Sequence, residues 1–363
     1  MTAPSGFTPP DLKRPAGITA LPVEWARKFE PRGEPRPMLS RDADSMYWMS
    51  RYVERAEHVA RMLMVTTHLL IDVGDLEPGV LRRLWQTVLD VVRDDRFDPP
   101  SLHASGQAHP GPPALAEAIS RYVTFDAANP SSIVSCLTRA RENALAIRES
   151  LSAEMWEALN ELYWSIRADD APQRFDENRD QFYRSILTGS MLFQGLTNQT
   201  LPRDQRWQFA QVAKYCERVD ATARILQTRW RVLTDEQVSL ETPIRNIHWM
   251  GVLRCCCSIE AYRREHGGDM DALAVVEFLL LRDDFPRSIR FCVDQARQAL
   301  AAIRASTTRR IDPAERILGR LDAQLDYAEL GEILRVGVPA YLDDIQQQVA
   351  DATTAVQKAY FLY

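Results

Sequence analysis

Glycine is scarce in this chain, at 15 of 363 residues, and long interior spans carry no proline. The turn-rich connections of an all-β architecture are therefore not provided for. No window alternates apolar and polar residues over a strand's length with β-branched enrichment, which excludes a sheet on the same evidence. Long hydrophobic runs are missing too. The longest, from Ala274 to Leu281, is too short to span a bilayer and carries Glu277, so no membrane segment is expected. Positive charge is not in excess: 44 Lys and Arg stand against 50 Asp and Glu, a net charge of −6, and nucleic acid is not an expected partner. The six cysteines, three of them consecutive at Cys255-Cys256-Cys257, match no disulfide framework, and reduced thiols in a cytoplasm fit them best.

Catalytic signatures are also lacking. The chain has no phosphate-binding glycine loop, no Gly-x-Ser-x-Gly elbow, no His-Glu-x-x-His and no paired Cys-x-x-Cys. Neighbouring carboxylates such as Glu154 and Glu157, or Asp283 and Asp284, are common in helical proteins and carry little weight. No metal site is expected: His103 and His109 lie in a loop without nearby carboxylates or a helical scaffold.

What the chain does contain is a stretch written twice. Arg51-Tyr-Val-Glu54-Arg55-Ala-Glu57-His-Val-Ala60-Arg61-Met-Leu63 returns 163 positions later as Lys214-Tyr-Cys-Glu217-Arg218-Val-Asp220-Ala-Thr-Ala223-Arg224-Ile-Leu226. A second echo follows in the same order: Asn129-Pro130-Ser131-Ser132-Ile133 and Cys136 recur as Phe285-Pro286-Arg287-Ser288-Ile289 and Cys292. The sequence thus reads as a duplicated unit, with halves at 38–201 and 202–363 forming one compact body and a boundary near Leu201-Pro202. Residues 1–37, with eight prolines and no apolar signal region, read as a flexible leader.

Helical periodicity runs from Ser40 to about Ile71, then over 78–94, 114–126, 130–150, 152–169 and 174–199. In the second half it runs over 203–234, 244–265, 270–282, 286–306, 313–328 and 331–362. The expected fold is all-α, a duplicated bundle of about twelve helices with an internal pseudo-two-fold repeat. The segment from Asp98 to Pro113, rich in proline, reads as a surface excursion.

On the first repeated helix, Trp48, Met49, Tyr52, Val53, Ala56, Val59, Ala60 and Leu63 share one face, and Tyr47, Ser50, Arg51, Glu54, Glu57, His58 and Arg61 the other. Glu54 and Arg61 stand two turns apart on nearly one line, a relation that Glu217 and Arg224 repeat. Exposed ion pairs stabilise by only about 0–1 kcal/mol, so a solvated face gives no reason to keep both. Two readings stay open: a buried ion network between the two motif helices, or a polar pocket for an anionic or zwitterionic ligand. Glu57 and Arg61, at i and i+4, read as an ordinary helix-surface pair. Asn129-Pro130 and Phe285-Pro286 open helices whose ends, with Ser132, Ser288 and Arg287, could cap the backbone or hold an anion. Beyond them come a densely charged helix with Arg141, Asn143 and Arg148, and a stripe of Trp156, Asn160, Tyr163 and Trp164.

The run Met38-Leu39-Ser40-Arg41-x-Ala43, then Tyr47-Trp48-Met49-x-Arg51-Tyr52-x-Glu54-Arg55-Ala56-Glu57 and Ala60-Arg61, resembles the opening signature of the bacterial alpha-E domain proteins. Asn129-Pro130-Ser131-Ser132-Ile133, Ala140-Arg141-Glu142-Asn143, Ile147-Arg148-Glu149, Glu217-Arg218 and Phe285-Pro286-Arg287-Ser288 extend the resemblance over about residues 38–363. It implies an all-helical protein that works beside a circularly permuted ATP-grasp protein, with transglutaminase-like proteins as possible neighbours. The implied chemistry is ATP-dependent amide-bond formation, with ATP and Mg on the ATP-grasp partner and none bound by this chain.

Three functions follow for testing. The first is an accessory or substrate-presenting subunit of such an amide ligase, using a cleft of Tyr47, Arg51, Glu54, Arg55, Glu57, Arg61, Glu217, Arg218 and Arg224, with Ser132, Arg141, Asn143, Arg148 and Arg287 nearby. The second is an autonomous enzyme of amide transfer or cleavage with Glu54 or Glu217 as general base, against which neighbouring arginines count because they lower a carboxylate's pKa. The third is a purely structural scaffold.

Overall fold

A helix that can satisfy polar groups on every side needs no solvent face, and the longest helix here has none. In the computed structural model, residues 38, 40–73, 78–92, 112–234, 241–268, 270–306 and 312–361 are described. The leader 1–37 and most of the Asp98-to-Pro113 segment, with His103 and His109, lie outside the described residues. Helix α1 (Ser40–Val73) carries Tyr47, Glu54, Glu57 and His58 buried beside its apolar residues, so its supposed polar face is interior.

The described residues are all-helical, with no strand among them. After α1 come α2 (Pro78–Val92), α3 (Pro112–Phe125), α4 (Ile133–Ala146), α5 (Ala153–Arg167), α6 (Ala171–Glu177) and α7 (Arg179–Thr200). The second half supplies α8 (Gln205–Leu233), α9 (Thr242–Cys255), α10 (Ile259–His266), α11 (Ala272–Leu281), α12 (Ile289–Ala305), α13 (Pro313–Asp326), α14 (Leu330–Val336) and α15 (Val338–Val356). A π-helical turn, Gln357–Phe361, follows α15.

The fifteen α-helices correct the expected count of about twelve, because three periodic segments each break once. Asn178 leaves helical geometry and caps α7 by accepting from Gln181 N at 3.0 Å. Cys257 takes a positive φ of 54° between α9 and α10, and Gly337 a φ of 94° between α14 and α15. Each residue turns the chain without disturbing the apolar period on either side. In the other direction, α3 starts at Pro112, earlier than expected, since proline is tolerated in the first helical turn.

Met38–Tyr363 forms one compact unit. Its packing scheme occurs twice: α1 lies on α4 and α7, and α8 lies on α12 and α15; α4 and α7 in turn flank α5, as α12 and α15 flank α13. The motif helices α1 and α8 pack directly on each other. The second helix of each half crosses over: of the two motif helices, α2 packs more on α8 than on α1, and α9 more on α1 than on α8. The helices that carry the repeated motif are therefore the two central elements. No described helix is long and apolar enough to cross a membrane.

Candidate functional site

Where α1 and α8 cross, each acid finds its base on the other helix. Arg55 holds Glu217 bidentately, Nε to Oε1 at 2.5 Å and Nη2 to Oε2 at 2.9 Å. Arg218 returns the arrangement on Glu54, Nε to Oε1 at 2.6 Å and Nη2 to Oε2 at 3.3 Å. The two Glu-Arg dipeptides are thus exchanged. Planar guanidinium forks suit this, because two parallel N–H bonds fix both direction and charge.

Further groups complete the coordination. Arg51 Nε donates to Glu217 Oε2 at 2.6 Å, and its Nη1 donates to Tyr47 Oη at 3.0 Å and Thr353 Oγ1 at 3.1 Å, the latter on α15. Gln194 of α7 donates to Glu54 Oε2 at 2.5 Å and accepts from Arg218 at 2.9 Å. Arg287 reaches in from the turn before α12 to Glu57 Oε2 at 2.7 Å, with Glu54 Oε1 at 3.4 Å.

The expected alignments within each helix are not used. Arg61 pairs with Glu57 and not with Glu54, and Arg224 pairs bidentately with Asp220 at 2.9 Å and not with Glu217. A spacing of seven is two turns, about 10 Å of rise, whereas i to i+4 is one. The Glu57–Arg61 pair is also no surface pair, since Glu57 is fully buried.

Burial pushes the Glu217 carboxyl up, but the Arg55 and Arg51 guanidinium groups outweigh it and hold the pKa at about 2. Glu57 is held at about 2 in the same way, by Arg287 and Arg61 against burial. His58 is pushed down to about 4 by burial and is neutral at neutral pH. Lys214, which stands where the first copy has Arg51, falls to about 8 through burial and the nearby Arg218 charge. A carboxylate so tightly held makes a poor proton acceptor. Counted together, six guanidinium groups (Arg51, Arg55, Arg61, Arg218, Arg224, Arg287) face four carboxylates (Glu54, Glu57, Glu217, Asp220).

Beside the crossing a cavity of 180 Å³ lies between α1, α8, the end of α2 and α15, and its lining includes Arg51, Arg55, His58, Ser131, Glu217, Asp220 and Arg224. A polar recess of 420 Å³ adjoins it through Arg224, with Asp90, Gln227, Arg231, Asp343 and Gln346 in its wall.

The remaining candidates stand elsewhere. Ser132 is fully buried and caps α4, its Oγ accepting from Ser135 N at 3.2 Å, just as Ser288 Oγ accepts from Phe291 N at 3.2 Å to cap α12. Ser132 is thereby occupied by the backbone and not open to a ligand. Arg141 donates to Asn160 Oδ1 at 2.7 Å and lies 4.8 Å from the Tyr163 ring centroid, and Arg148 stacks over Trp156 at 5.3 Å. Asn143 donates to Arg139 O at 2.8 Å. Arg141 of α4 and Arg148 of the 3-10 turn after it form an arginine–aromatic patch with α5, while Asn143 bonds within its own helix.

Sequence reasoning passed over Asp220, Gln194, Thr353, Ser131 and His58 as site members. Asp220 carries a signal, since it aligns with Glu57 and stands four residues before Arg224. His58 stands on the polar face read from the sequence and Ser131 in the repeated turn, whereas Gln194 and Thr353 become neighbours only through packing.

Among known proteins, the chain is 26% identical over 341 residues to an uncharacterized protein of Mycobacterium bovis and, equally, to two of Mycobacterium tuberculosis. The matches cover 86% of this chain and 36% of each relative, so the chain spans about a third of their length. No solved structure matches it. Residues 38–361 match the Alpha-E model, described as a predicted alpha-helical domain with a conserved ER motif. With the Glu-Arg dipeptides Glu54-Arg55 and Glu217-Arg218 exchanged at its centre, the chain belongs to the Alpha-E family.

Proposed function

We propose that the protein is an accessory, substrate-presenting partner of a circularly permuted ATP-grasp amide ligase, working in the cytoplasm. The crossing of α1 and α8 engages a carboxylate or amine of the substrate, or of the ligase. The observation that carries this reading is the charge imbalance beside an open cavity: among the described residues six buried or half-buried guanidinium groups face four carboxylates, and 180 Å³ of space lies along three of them, Arg51, Arg55 and Arg224. A fold needing only a structural clamp has no use for surplus buried cations, each of which costs several kcal/mol to desolvate. The reaction itself comes from the family resemblance, with ATP and Mg held by the ligase and activation of the carboxylate as an acyl phosphate. A transglutaminase-like protein is a further candidate neighbour.

Co-purification with an ATP-grasp partner, followed by ATP consumption with amino-acid acceptors, tests this. The expected result is a stable complex and faster turnover in the presence of the chain. No complex, together with turnover indifferent to the chain, overturns it.

A structural role has its own support in the exchanged Arg55–Glu217 and Arg218–Glu54 pairs, which need no ligand. The two roles meet in shared residues: the exchanged quartet joins the helices, while its Arg55 and Glu217 also line the opening together with Arg51, Arg224 and His58. The autonomous-enzyme reading loses ground, because Glu217 is already bonded through both oxygens by two arginines.

A further inference from the structure

Among the differences between the two copies, Ser131 against Arg287 lies next to the crossing. Pro130-Ser131-Ser132 and Pro286-Arg287-Ser288 build the same turn: Ser132 N donates to Asn129 O at 3.1 Å and Ser288 N to Phe285 O at 3.0 Å, and each serine then caps its helix. On the second turn the Arg287 side chain enters and fills the space against Glu57 and Glu54. On the first turn Ser131 brings no charged group, and the 180 Å³ cavity opens there against Glu217 and Asp220.

Three guanidinium groups on that cavity keep one terminal nitrogen with no acceptor among the described residues: Nη2 of Arg51, Nη1 of Arg55 and Nη1 of Arg224. His58 Nε2 also has no partner, although the residue is only 5% exposed. Arg218, by contrast, uses all three nitrogens on Glu54, Gln194 and Pro286 O. Of these four donors only His58 Nε2 is sealed from solvent, and a sealed donor is costly unless something accepts from it. Among the described residues lining the cavity, the three arginines outnumber Glu217 and Asp220 by one.

We propose that this cavity binds a small oxyanion, the carboxylate or phosphate group of a ligand of about amino-acid size, through the free nitrogens of Arg51, Arg55 and Arg224 and the imidazole of His58. One negative charge neutralises the surplus cation, and three guanidinium N–H groups converge on its oxygens. At 180 Å³ the cavity holds more than a single water, which suits such a group with a short side chain. The inference takes its location from the reading above and narrows its ligand, yet its test needs no ligase.

The imidazole resonances of His58 report on the site in the labelled full-length protein. We would titrate N-acetylglycine, its neutral amide and inorganic phosphate, each to about 10 mM, a range that captures binding near −4 kcal/mol. The expected result is a saturable shift with one or both oxyanions and none with the amide; whichever oxyanion responds names the source. Ser131→Arg places on the first turn the side chain that the second already accommodates, and it should keep the helical circular dichroism while weakening binding at least tenfold. Arg224→Gln serves as an independent check, with the same loss expected. Absence of any oxyanion shift, or affinity unchanged in both variants, overturns the site. If oxyanion binding fails while the ligase complex forms, only this inference falls.

Discussion

Glu217 receives its guanidinium bonds from residues 162 and 166 positions earlier in the chain, and none from its own helix. Helical spacing predicts partners along one helix, so it reached the Glu57–Arg61 pair but not the partners of Glu54 and Glu217, nor the burial of Glu57. The exchange between copies is a tertiary fact that no periodicity encodes, although the Glu-Arg dipeptides themselves were legible as a repeated oddity. Removing one partner of a buried pair strands the other. Arg55→Ala should therefore lower stability by about 3–5 kcal/mol in urea unfolding. The double variant Arg55→Ala/Glu217→Gln should recover part of that loss, and strict additivity would refute direct coupling.

The same groups set the response to acid. His58 titrates at about 4 in the fold against an ordinary 6.5, and Glu57 and Glu217 at about 2 against 4.5. In each case the unfolded chain binds more protons, so their stabilisation is complete above pH 6.5 and declines as pH falls. His58 and His248, the latter also pushed down to about 4 by burial and the Arg229 charge, share the window from 6.5 to 4, and the carboxylates act below 4.5. Thermal melts should show the melting temperature dropping already between pH 6.5 and 5, and a His58→Phe variant should lose part of that first phase, the remainder belonging to His248.

At the scale of elements, helix class and order were legible because apolar periodicity persists through most of the chain. The three breaks were not, since a single residue in a left-handed or extended conformation leaves the period intact. Gly337 is the clearest of them: its φ of 94° favours glycine, and no atom lies within 4 Å of where a Cβ would stand. Gly337→Ala should then cost about 1–2 kcal/mol from backbone strain alone, with no steric clash to relieve. Calorimetry would check it, and an unchanged melting temperature would mean that the junction bends by other means. Because α15 carries Thr353 to Arg51, disturbing the α14–α15 junction should also be felt at the cavity.

At the scale of the molecule, each half lends its second helix to the other's motif helix. The fragments 40–201 and 202–361 produced alone should show weak, non-cooperative helical signal and should regain cooperative melting when refolded together. Two fragments that melt sharply by themselves would contradict this. The duplication was readable from the repeated residues, but the crossing-over of α2 and α9 was not, because sequence spacing cannot say which copy a neighbouring helix serves.

The exchange has a mechanical corollary. A protein of two self-contained halves, stretched from its ends, gives way in two successive force peaks. Here the first half cannot be peeled off without stripping counter-charges from both Glu54 and Glu217 at once, so the chain should rupture in a single event.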